Sequence, residues 1–228
     1  MSLLLVAHGT RKPEGVTMVG DLAARVSEVL DRHIHVAFVD VLGPTPQEVL
    51  STLPSDRPVT VVPAFLACGY HVRVDLPAHV TASDHPAVTV TAALGPCPST
   101  VRVMAQRLVE CGWRTGDSVV MAAAGTSDPH AQSDLRRTAA LMSALIGDRV
   151  ELAYAATGTP RVRDAVAELR RRGARGVAVA SYLLADGLFQ DRLRDSGADL
   201  VADPLGSHPA MARLIANRFK RARIPIAA

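Results

Sequence analysis

The chain repeats itself, and this duplication limits its fold more than any other feature of the sequence. Four segments of the first half return, in the same order, in the second half. The pairs, first copy before second, are VAHGTRKP (6–13) and AAAGTSDP (122–129), Thr-Pro (45–46) and Thr-Pro (159–160), FLACGYH (65–71) and LLADGLF (183–189), and LGPCP (94–98) and LGSHP (205–209). We therefore predict two copies of one folding unit that meet near 113–117, with the first domain at 1–115 and the second at 116–228.

Strand-like and helix-like segments alternate within each copy. Short apolar runs rich in β-branched residues, typical of strands buried on both faces, are separated by stretches whose apolar residues recur at helical spacing. The predicted strands lie at 3–7, 36–42, 59–66 and 88–94 in the first copy and at 119–123, 150–156, 176–184 and 199–202 in the second. Because alternating strands and helices form parallel sheets covered by helices, we predict an α/β protein of two tandem flavodoxin-like lobes, each a four-stranded parallel sheet flanked by helices.

Composition argues against several classes of protein. The net charge of +3 is too small to indicate a nucleic-acid partner, and no apolar run approaches the roughly 18 residues of a membrane span. Three cysteines without a CxxC spacing predict small apolar packing residues and not a disulfide framework or a zinc site. All but two of the basic residues are arginines, which suits an acidic ligand or reflects a GC-rich genome. The start of the chain lacks the basic region of a secretory signal, so we expect a cytoplasmic protein.

Two histidines fall where parallel α/β sheets bind ligands. Such sheets bind ligands beyond the carboxyl ends of their strands, at the point where the strand order reverses. In the common order 2-1-3-4, that point lies between the first and third strands. His8 follows the first predicted strand and His71 follows the third. We therefore expect two histidines that are distant in sequence to meet at one edge of the sheet.

Both histidines are missing from the second copy, whereas the glycines beside them are retained. The matched positions are His8 and Ala124, His71 and Phe189, Gly9 and Gly125, and Gly69 and Gly187. Glycine supplies the backbone freedom that tight loops need, so both copies keep the loop scaffold. Because the two imidazoles occur together in one copy and are absent together from the other, we predict that they act as a pair.

The segments around the histidines resemble those of the class II chelatases, and most closely the sirohydrochlorin cobaltochelatases and ferrochelatases. The resemblance rests on VAHGTR at 6–11 and FLACGYHVRVDLP at 65–77, together with the degenerate second copy, and it covers nearly the whole chain. It implies a cleft between the lobes that holds sirohydrochlorin, an acidic tetrapyrrole, with metal delivery by His8 and His71. A monomer would already contain both lobes of such a cleft, and a homodimer is a second option.

The resemblance also implies roles for residues near the histidines. Asp40 occupies a position where the family has an acidic residue, often Glu, and we predict it as a third catalytic residue. Its shorter reach leaves open whether it binds the metal directly, and the repeat match places Tyr154 at its position in the second copy. The predicted substrate-binding residues are Gly9, Thr10, Arg11, Gly69, Tyr70 and Arg73, with Lys12 as a further cation and Arg136, Arg137, Arg161 and Arg163 as weaker candidates.

Metal insertion into a tetrapyrrole suits these residue types. A divalent ion replaces two pyrrole N–H protons, so the site needs a weak metal ligand and a proton acceptor. Imidazole serves both purposes near pH 7, because its ordinary pKa is about 6.5. Two imidazoles and a carboxylate suit Fe²⁺, Co²⁺, Ni²⁺ or Zn²⁺, with the ion as a substrate and no organic cofactor. The chain lacks the His-rich run of some cobalt-inserting relatives, which favours Fe²⁺ and leaves Co²⁺ as the alternative.

Two other functions share part of this pattern. A histidine phosphatase has His-Gly after its first strand, but with an arginine before the histidine, where this chain has Ala7. A tetrapyrrole or metal carrier would use the same histidines without turnover, and the sequence alone does not separate it from an enzyme. The other histidines are expected to be surface or packing residues, namely His33, His35, His79, His85, His130 and His208.

Overall fold

Two parallel four-stranded sheets form the frame of the protein. The structure, a computed structural model, describes residues 1–10 and 12–222. The first sheet has the order β2-β1-β3-β4 and the second the order β6-β5-β7-β8, which confirms the predicted fold class and the 2-1-3-4 order. The strands are β1 (Ser2–Ala7), β2 (His35–Phe38), β3 (Val59–Pro63), β4 (Val88–Val90), β5 (Ser118–Gly125), β6 (Val150–Thr157), β7 (Val177–Tyr182) and β8 (Leu200–Val201).

Eight α-helices in the described residues connect and follow these strands. They are α1 (Pro13–Leu30), α2 (Pro46–Thr52), α3 (Leu76–Ala82), α4 (Pro98–Glu110), α5 (Pro129–Ile146), α6 (Val162–Arg171), α7 (Leu188–Arg194) and α8 (Pro209–Arg221). A π-helical turn, His71–Asp75, runs directly into α3. Five of the helices begin at a proline, which is favourable there because the first N–H groups of a helix have no partner within it. None of the helices described is both long and apolar enough to cross a membrane.

The strands carry the apolar core of each sheet. Leu4, Val6 and Val61 of the first sheet are fully buried, and Leu50 of α2 and Leu76 of α3 pack against them. Full burial of one such side chain stabilises a fold by roughly 1.5–3 kcal/mol. The matching cluster beside the second sheet includes Val120, Val179 and Leu193. The continuous apolar runs of the sequence are therefore explained by strands that are covered on both faces.

The compact units of the chain do not coincide with the repeat boundary predicted at 115–116. One unit comprises 1–94 and the segment from 209 onward, and the other comprises 95–208. Helix α4, which follows β4 along the chain, packs on α5 and β7 within the second unit. Helix α8 packs on α1 and β3 within the first unit. The last helix of each sequence copy therefore belongs to the compact unit of the other copy.

The strand register corrects the predicted counterpart of Asp40. Tyr154 pairs with Ala123 of β5, just as Phe38 pairs with Ala7 of β1. Since the repeat matches Ala123 with Ala7, Tyr154 is the counterpart of Phe38, and its assignment to the position of Asp40 is wrong. Apolar runs of unequal length can be aligned in more than one way, whereas hydrogen-bonded strand pairing selects a single register.

The Thr-Pro match of the repeat is displaced by two residues. Phe38 donates its N–H to the carbonyl oxygen of Pro44 at 2.9 Å, and Tyr154 donates to that of Pro160 at 3.0 Å. Pro160 therefore corresponds to Pro44 and not to Pro46, as the sequence match implied. The first copy has two prolines two positions apart, and the dipeptide match selected the wrong one.

Candidate metal centre

His8 and Asp40 are held side by side by the loops that follow β1 and β2. Asp40 donates its backbone N–H to the carbonyl oxygen of His8 at 3.0 Å. Gly9 has a φ of 99°, and a Cβ on it would lie 2.1 Å from the carbonyl oxygen of Asp40. Only glycine allows this close approach in this conformation. Gly9 therefore allows the loops after β1 and β2 to approach each other closely, which explains why the motif has glycine at this position.

A tight turn fixes the side chain of Asp40. Leu42 donates its N–H to the carbonyl oxygen of Asp40 at 2.8 Å, and Val41 between them has a φ of 69°. This is a γ-turn with a β-branched residue in the left-handed region, a strained conformation that persists only where the surroundings enforce it. The N–H of Val41 donates to Oδ1 of Asp40 at 2.7 Å. The carboxylate is therefore oriented by its own backbone.

His71 begins the π-helical turn that follows β3, and it lies against His8. The centroids of the two imidazole rings are 4.5 Å apart and the rings are nearly perpendicular, at 82°. The rings of Phe65 and Tyr70 lie 6.4 Å and 6.1 Å from that of His71. The structure therefore brings together the two histidines that the strand order predicted to meet.

The structure groups His8, Asp40 and His71 as potential ligands of one metal ion. One ligand atom from each residue lies within 4.8 Å of the others. First-row divalent ions bind imidazole nitrogen and carboxylate oxygen at about 2.0–2.2 Å, so ligand atoms on one ion are separated by about 3–4 Å. His8 and Asp40 are exposed and His71 is partly buried. Small movements of these side chains would bring the ligand atoms to that separation, and the exposure of His8 and Asp40 makes the grouping accessible to a ligand from outside the protein.

Asp75 is a member of this neighbourhood that the sequence analysis did not identify. Its Oδ2 lies 2.6 Å from Nδ1 of His71, and both side chains are partly exposed, at 27% and 32%. With Nδ1 engaged, Nε2 is the ring nitrogen of His71 that remains for a metal. The four-residue spacing of His71 and Asp75 within the segment HVRVD was the signal that could have indicated this pair.

The predicted substrate-binding residues differ in their exposure and in their hydrogen bonds. Tyr70 is 58% exposed, and Arg73, within the π-helical turn, is also exposed. The carbonyl oxygen of Gly69 accepts the N–H groups of Val72 and Arg73, at 3.1 Å and 3.0 Å. Thr10 accepts the N–H of Lys12 through its hydroxyl at 3.2 Å, at the entrance to α1. Arg11 lies outside the described residues.

The second copy keeps the scaffold of the centre without its ligands. Gly125 has a φ of 101°, and a Cβ on it would lie 1.8 Å from the carbonyl oxygen of Thr157. This contact makes Thr157 the counterpart of Asp40. Ala124 and Phe189 take the places of His8 and His71, and the guanidinium of Arg192 lies 5.8 Å from the ring centroid of Phe189. These positions of the second copy therefore offer neither imidazole nor carboxylate.

Four of the other histidines have local partners. Nε2 of His85 lies 3.2 Å from the carbonyl oxygen of Pro54, and Nε2 of His208 lies 3.5 Å from the carboxylate of Glu110. The rings of His33 and His35 contact each other edge to face at a centroid distance of 4.5 Å. Burial lowers the pKa of His35, and the neighbouring His33 lowers it further. All three cysteines are partly buried.

Two solved structures share the fold of this protein. SirB from Bacillus subtilis with Fe³⁺ has a TM-score of 0.82 and 20% sequence identity, over 96% of this chain and 94% of that chain. The sirohydrochlorin chelatase SirB from Bacillus subtilis subspecies spizizenii, in complex with cobalt, has a TM-score of 0.74 and 19% identity over the same shares. The fold is therefore that of the two-lobed chelatases.

The family follows from the sequence comparison. The CbiX family model matches residues 2–111 and again residues 118–222, and the chain belongs to the CbiX family. The two successive matches agree with the internal repeat. Among curated relatives, the sirohydrochlorin ferrochelatase of Priestia megaterium is 24% identical over an alignment of 237 positions, which covers 96% of this chain and 89% of the relative.

Proposed function

We propose that this protein is a sirohydrochlorin chelatase, which inserts a divalent metal ion into sirohydrochlorin and releases two protons. The observation that carries this proposal is the grouping of His8, Asp40 and His71 with their ligand atoms within 4.8 Å of one another. Membership of the CbiX family supports the same reaction. The similarity to a curated ferrochelatase, which extends over 89% of that relative's length, also supports it. A histidine phosphatase does not fit this centre, because Ala7 precedes His8.

The proposed mechanism transfers one ion from protein ligands to ring nitrogens. His8, Asp40 and His71 hold the ion at the carboxyl end of the sheet. Two pyrrole N–H groups lose their protons to basic groups of the centre and then to water, and the four ring nitrogens take over the ion. Three protein ligands leave coordination positions open for the incoming nitrogens, as in catalytic metal sites in general. The exposure of His8 and Asp40 allows the macrocycle to approach.

We propose Fe²⁺ as the physiological metal, with Co²⁺ as the alternative. Two imidazoles and a carboxylate bind either ion, so the donor set by itself does not discriminate between them. Of two Priestia megaterium relatives that are 24% identical, the one whose match covers 96% of this chain is named a ferrochelatase and the one whose match covers 85% is named a cobaltochelatase. The two SirB structures contain Fe³⁺ and cobalt. The absence of a His-rich run from the sequence also favours iron.

We also propose that six residues contact the macrocycle or its carboxylates. Exposed aromatic rings provide apolar surface for a flat ligand, and arginine pairs with carboxylates through parallel hydrogen bonds. Tyr70 is exposed next to His71, and Arg73 is on the same turn. The six residues are Gly9, Thr10, Arg11, Gly69, Tyr70 and Arg73.

Asp40→Asn is expected to weaken Co²⁺ binding on the order of 10-fold and to slow metal insertion by at least as much. The amide oxygen can still accept the N–H of Val41, so the turn is retained while the negative charge is lost. Calorimetric titration with Co²⁺ and the insertion rate measure the two effects. Asp21→Asn, at an exposed position of α1, is the matched control. If Asp40→Asn and Asp21→Asn had the same Co²⁺ affinity and the same insertion rate, Asp40 would not be part of the metal centre.

The proposed function is tested by an anaerobic absorbance assay with the protein at catalytic concentration. Sirohydrochlorin is mixed with Fe²⁺ or Co²⁺, and the change in its spectrum is compared with a reaction without protein. We expect many turnovers per protein molecule and a larger specificity constant for Fe²⁺. Tight binding of sirohydrochlorin with at most one turnover would identify a carrier instead. A larger specificity constant for Co²⁺ would replace the iron proposal with the cobalt alternative.

A further inference from the structure

The two copies differ by one residue at the turn that carries His71. Leu76 follows Gly69 by seven positions, whereas its counterpart Leu193 follows Gly187 by six. Both leucines are fully buried in the core of their own sheet. The additional residue of the first copy must therefore be accommodated between the glycine and the buried leucine. It is accommodated by the π-helical turn His71–Asp75, while the second copy has the regular helix α7.

The π-helical turn determines what lies beside His71. The N–H of Leu76 donates to the carbonyl oxygen of His71, five positions earlier, which is the hydrogen bond of a π-helix. Asp75 therefore lies within the widened turn, with its Oδ2 at 2.6 Å from Nδ1 of His71. The first copy thus combines the extra residue, the imidazole and the carboxylate, and the second copy has Phe189 on a helix without the extra residue. Single-residue π-helical insertions are frequent at functional sites.

From this combination we infer that Asp75 is a positioning residue for the metal centre. It accepts the Nδ1–H of His71, which selects the tautomer with a lone pair on Nε2 and fixes the plane of the ring. The inference rests on the proposed role of His71 as a metal ligand. Asp75 does not itself touch the ion or the macrocycle, and it acts only through the imidazole.

A purely stabilising ion pair is the competing explanation, and the exposure of the pair argues against it. Both side chains are about one-third exposed, and ion pairs at such positions contribute little to folding because water screens them. A carboxylate that orients a histidine ligand acts on metal affinity, and its removal typically weakens binding 10- to 100-fold. Metal affinity and protein stability therefore respond differently under the two explanations.

The inference is tested with Asp75→Ala, Asp75→Asn and Asp75→Glu on the full chain without tetrapyrrole. Co²⁺ affinity is measured by calorimetry, and the tautomer of His71 is read from the nitrogen chemical shifts of its ring at pH 8, above the ordinary imidazole pKa of about 6.5. We expect Asp75→Ala to bind Co²⁺ 10- to 100-fold more weakly, with His71 shifted toward the Nε2–H tautomer and an unchanged melting temperature. Asp75→Glu should bind Co²⁺ more tightly than Asp75→Ala does. The Co²⁺ affinity of Asp75→Asn should lie between those of Asp75→Ala and Asp75→Glu.

Asp56→Asn, an exposed carboxylate of the same unit, is the matched control and should leave affinity and tautomer unchanged. Wild-type affinity and an unshifted tautomer in Asp75→Ala would overturn the inference. A lower melting temperature with unchanged Co²⁺ affinity would show a structural ion pair and would also overturn it. These readouts use no tetrapyrrole, so they are separate from the insertion assay. Failure of wild-type insertion, with the expected tautomer and affinity changes, would contradict the proposed function and leave the positioning role of Asp75 in place.

Discussion

Replacement of His8 or His71 by alanine is expected to slow metal insertion into sirohydrochlorin by about 10²- to 10³-fold. Each change would remove one of the groups proposed to bind the metal and to accept a pyrrole proton. The double variant should be little slower than either single variant, because the two imidazoles act as one unit and their losses do not add. His8 is exposed and His71 partly buried, so the free energy of unfolding should change little. Initial rates at catalytic protein concentration, corrected for the reaction without protein, measure the effect.

His130→Ala is the matched control for this prediction. His130 is an exposed histidine at the start of α5 in the second unit, where it donates only its backbone N–H to Asp128 among the contacts described. Its replacement should leave the insertion rate within about twofold of wild type, in line with the small effects of surface substitutions. Unimpaired turnover in His8→Ala and His71→Ala, or an equal loss in His130→Ala, would place the reaction elsewhere in the protein.

Gly9→Ala is expected to lower the free energy of unfolding by about 3 kcal/mol or more and to weaken Co²⁺ binding as well. The added methyl group would lie 2.1 Å from the carbonyl oxygen of Asp40 on a backbone with a φ of 99°. The loops after β1 and β2 would have to separate, and His8 would move away from Asp40. Urea unfolding measures the stability, and calorimetric titration at low temperature measures Co²⁺ affinity.

Two other glycines separate the stability effect from the metal effect. Gly125→Ala should destabilise the fold in the same way, because its Cβ would lie 1.8 Å from the carbonyl oxygen of Thr157. It should leave Co²⁺ affinity unchanged, since that copy has no histidine pair. Gly20→Ala, inside α1 with nothing within 4 Å of its Cβ, should stabilise the protein by about 0.5–1 kcal/mol. Equal losses of Co²⁺ affinity in Gly9→Ala and Gly125→Ala would contradict a centre confined to the first copy.

The sequence was sufficient to predict the meeting of His8 and His71. Both follow strands of a parallel sheet, and the rules that govern strand order bring the carboxyl ends of the first and third strands together. The repeat supplied the strand assignment twice, so errors in one copy could be checked against the other. Such rules act on whole elements, which is why the fold class and the proximity of the two histidines were predictable.

Features that depend on strand register or on local helix geometry could not be predicted from the sequence. The counterpart of Asp40 was assigned to Tyr154, whereas the loop contacts of Gly9 and Gly125 make it Thr157. Asp75 was overlooked because a pattern of apolar residues does not distinguish a π-helical turn from an α-helix. The exchange of α4 and α8 between compact units has no sequence signal either, because an amphipathic helix can cover either sheet equally well.

Comparison of the two copies distinguishes residues that the fold requires from residues that are proposed to carry the metal chemistry. Gly9 and Gly125 hold equivalent loops together in both copies, so their presence reflects packing. His8, Asp40 and His71 occur in the first copy only, so no loop or core contact common to the two copies depends on them. The second copy therefore acts as an internal reference, and the residues that differ at its matching loop ends are those on which the metal chemistry is proposed to depend.

The central claim is that His8, Asp40 and His71 hold the metal, and X-ray absorption at the cobalt edge tests it most directly. The spectrum is recorded on the protein with one equivalent of Co²⁺ and no tetrapyrrole. We expect a shell of nitrogen and oxygen atoms at about 2.0–2.2 Å, with outer scattering from two imidazoles in the wild type and from one in either His8→Ala or His71→Ala. A wild-type spectrum without imidazole scattering, or one that neither substitution changes, would contradict the account.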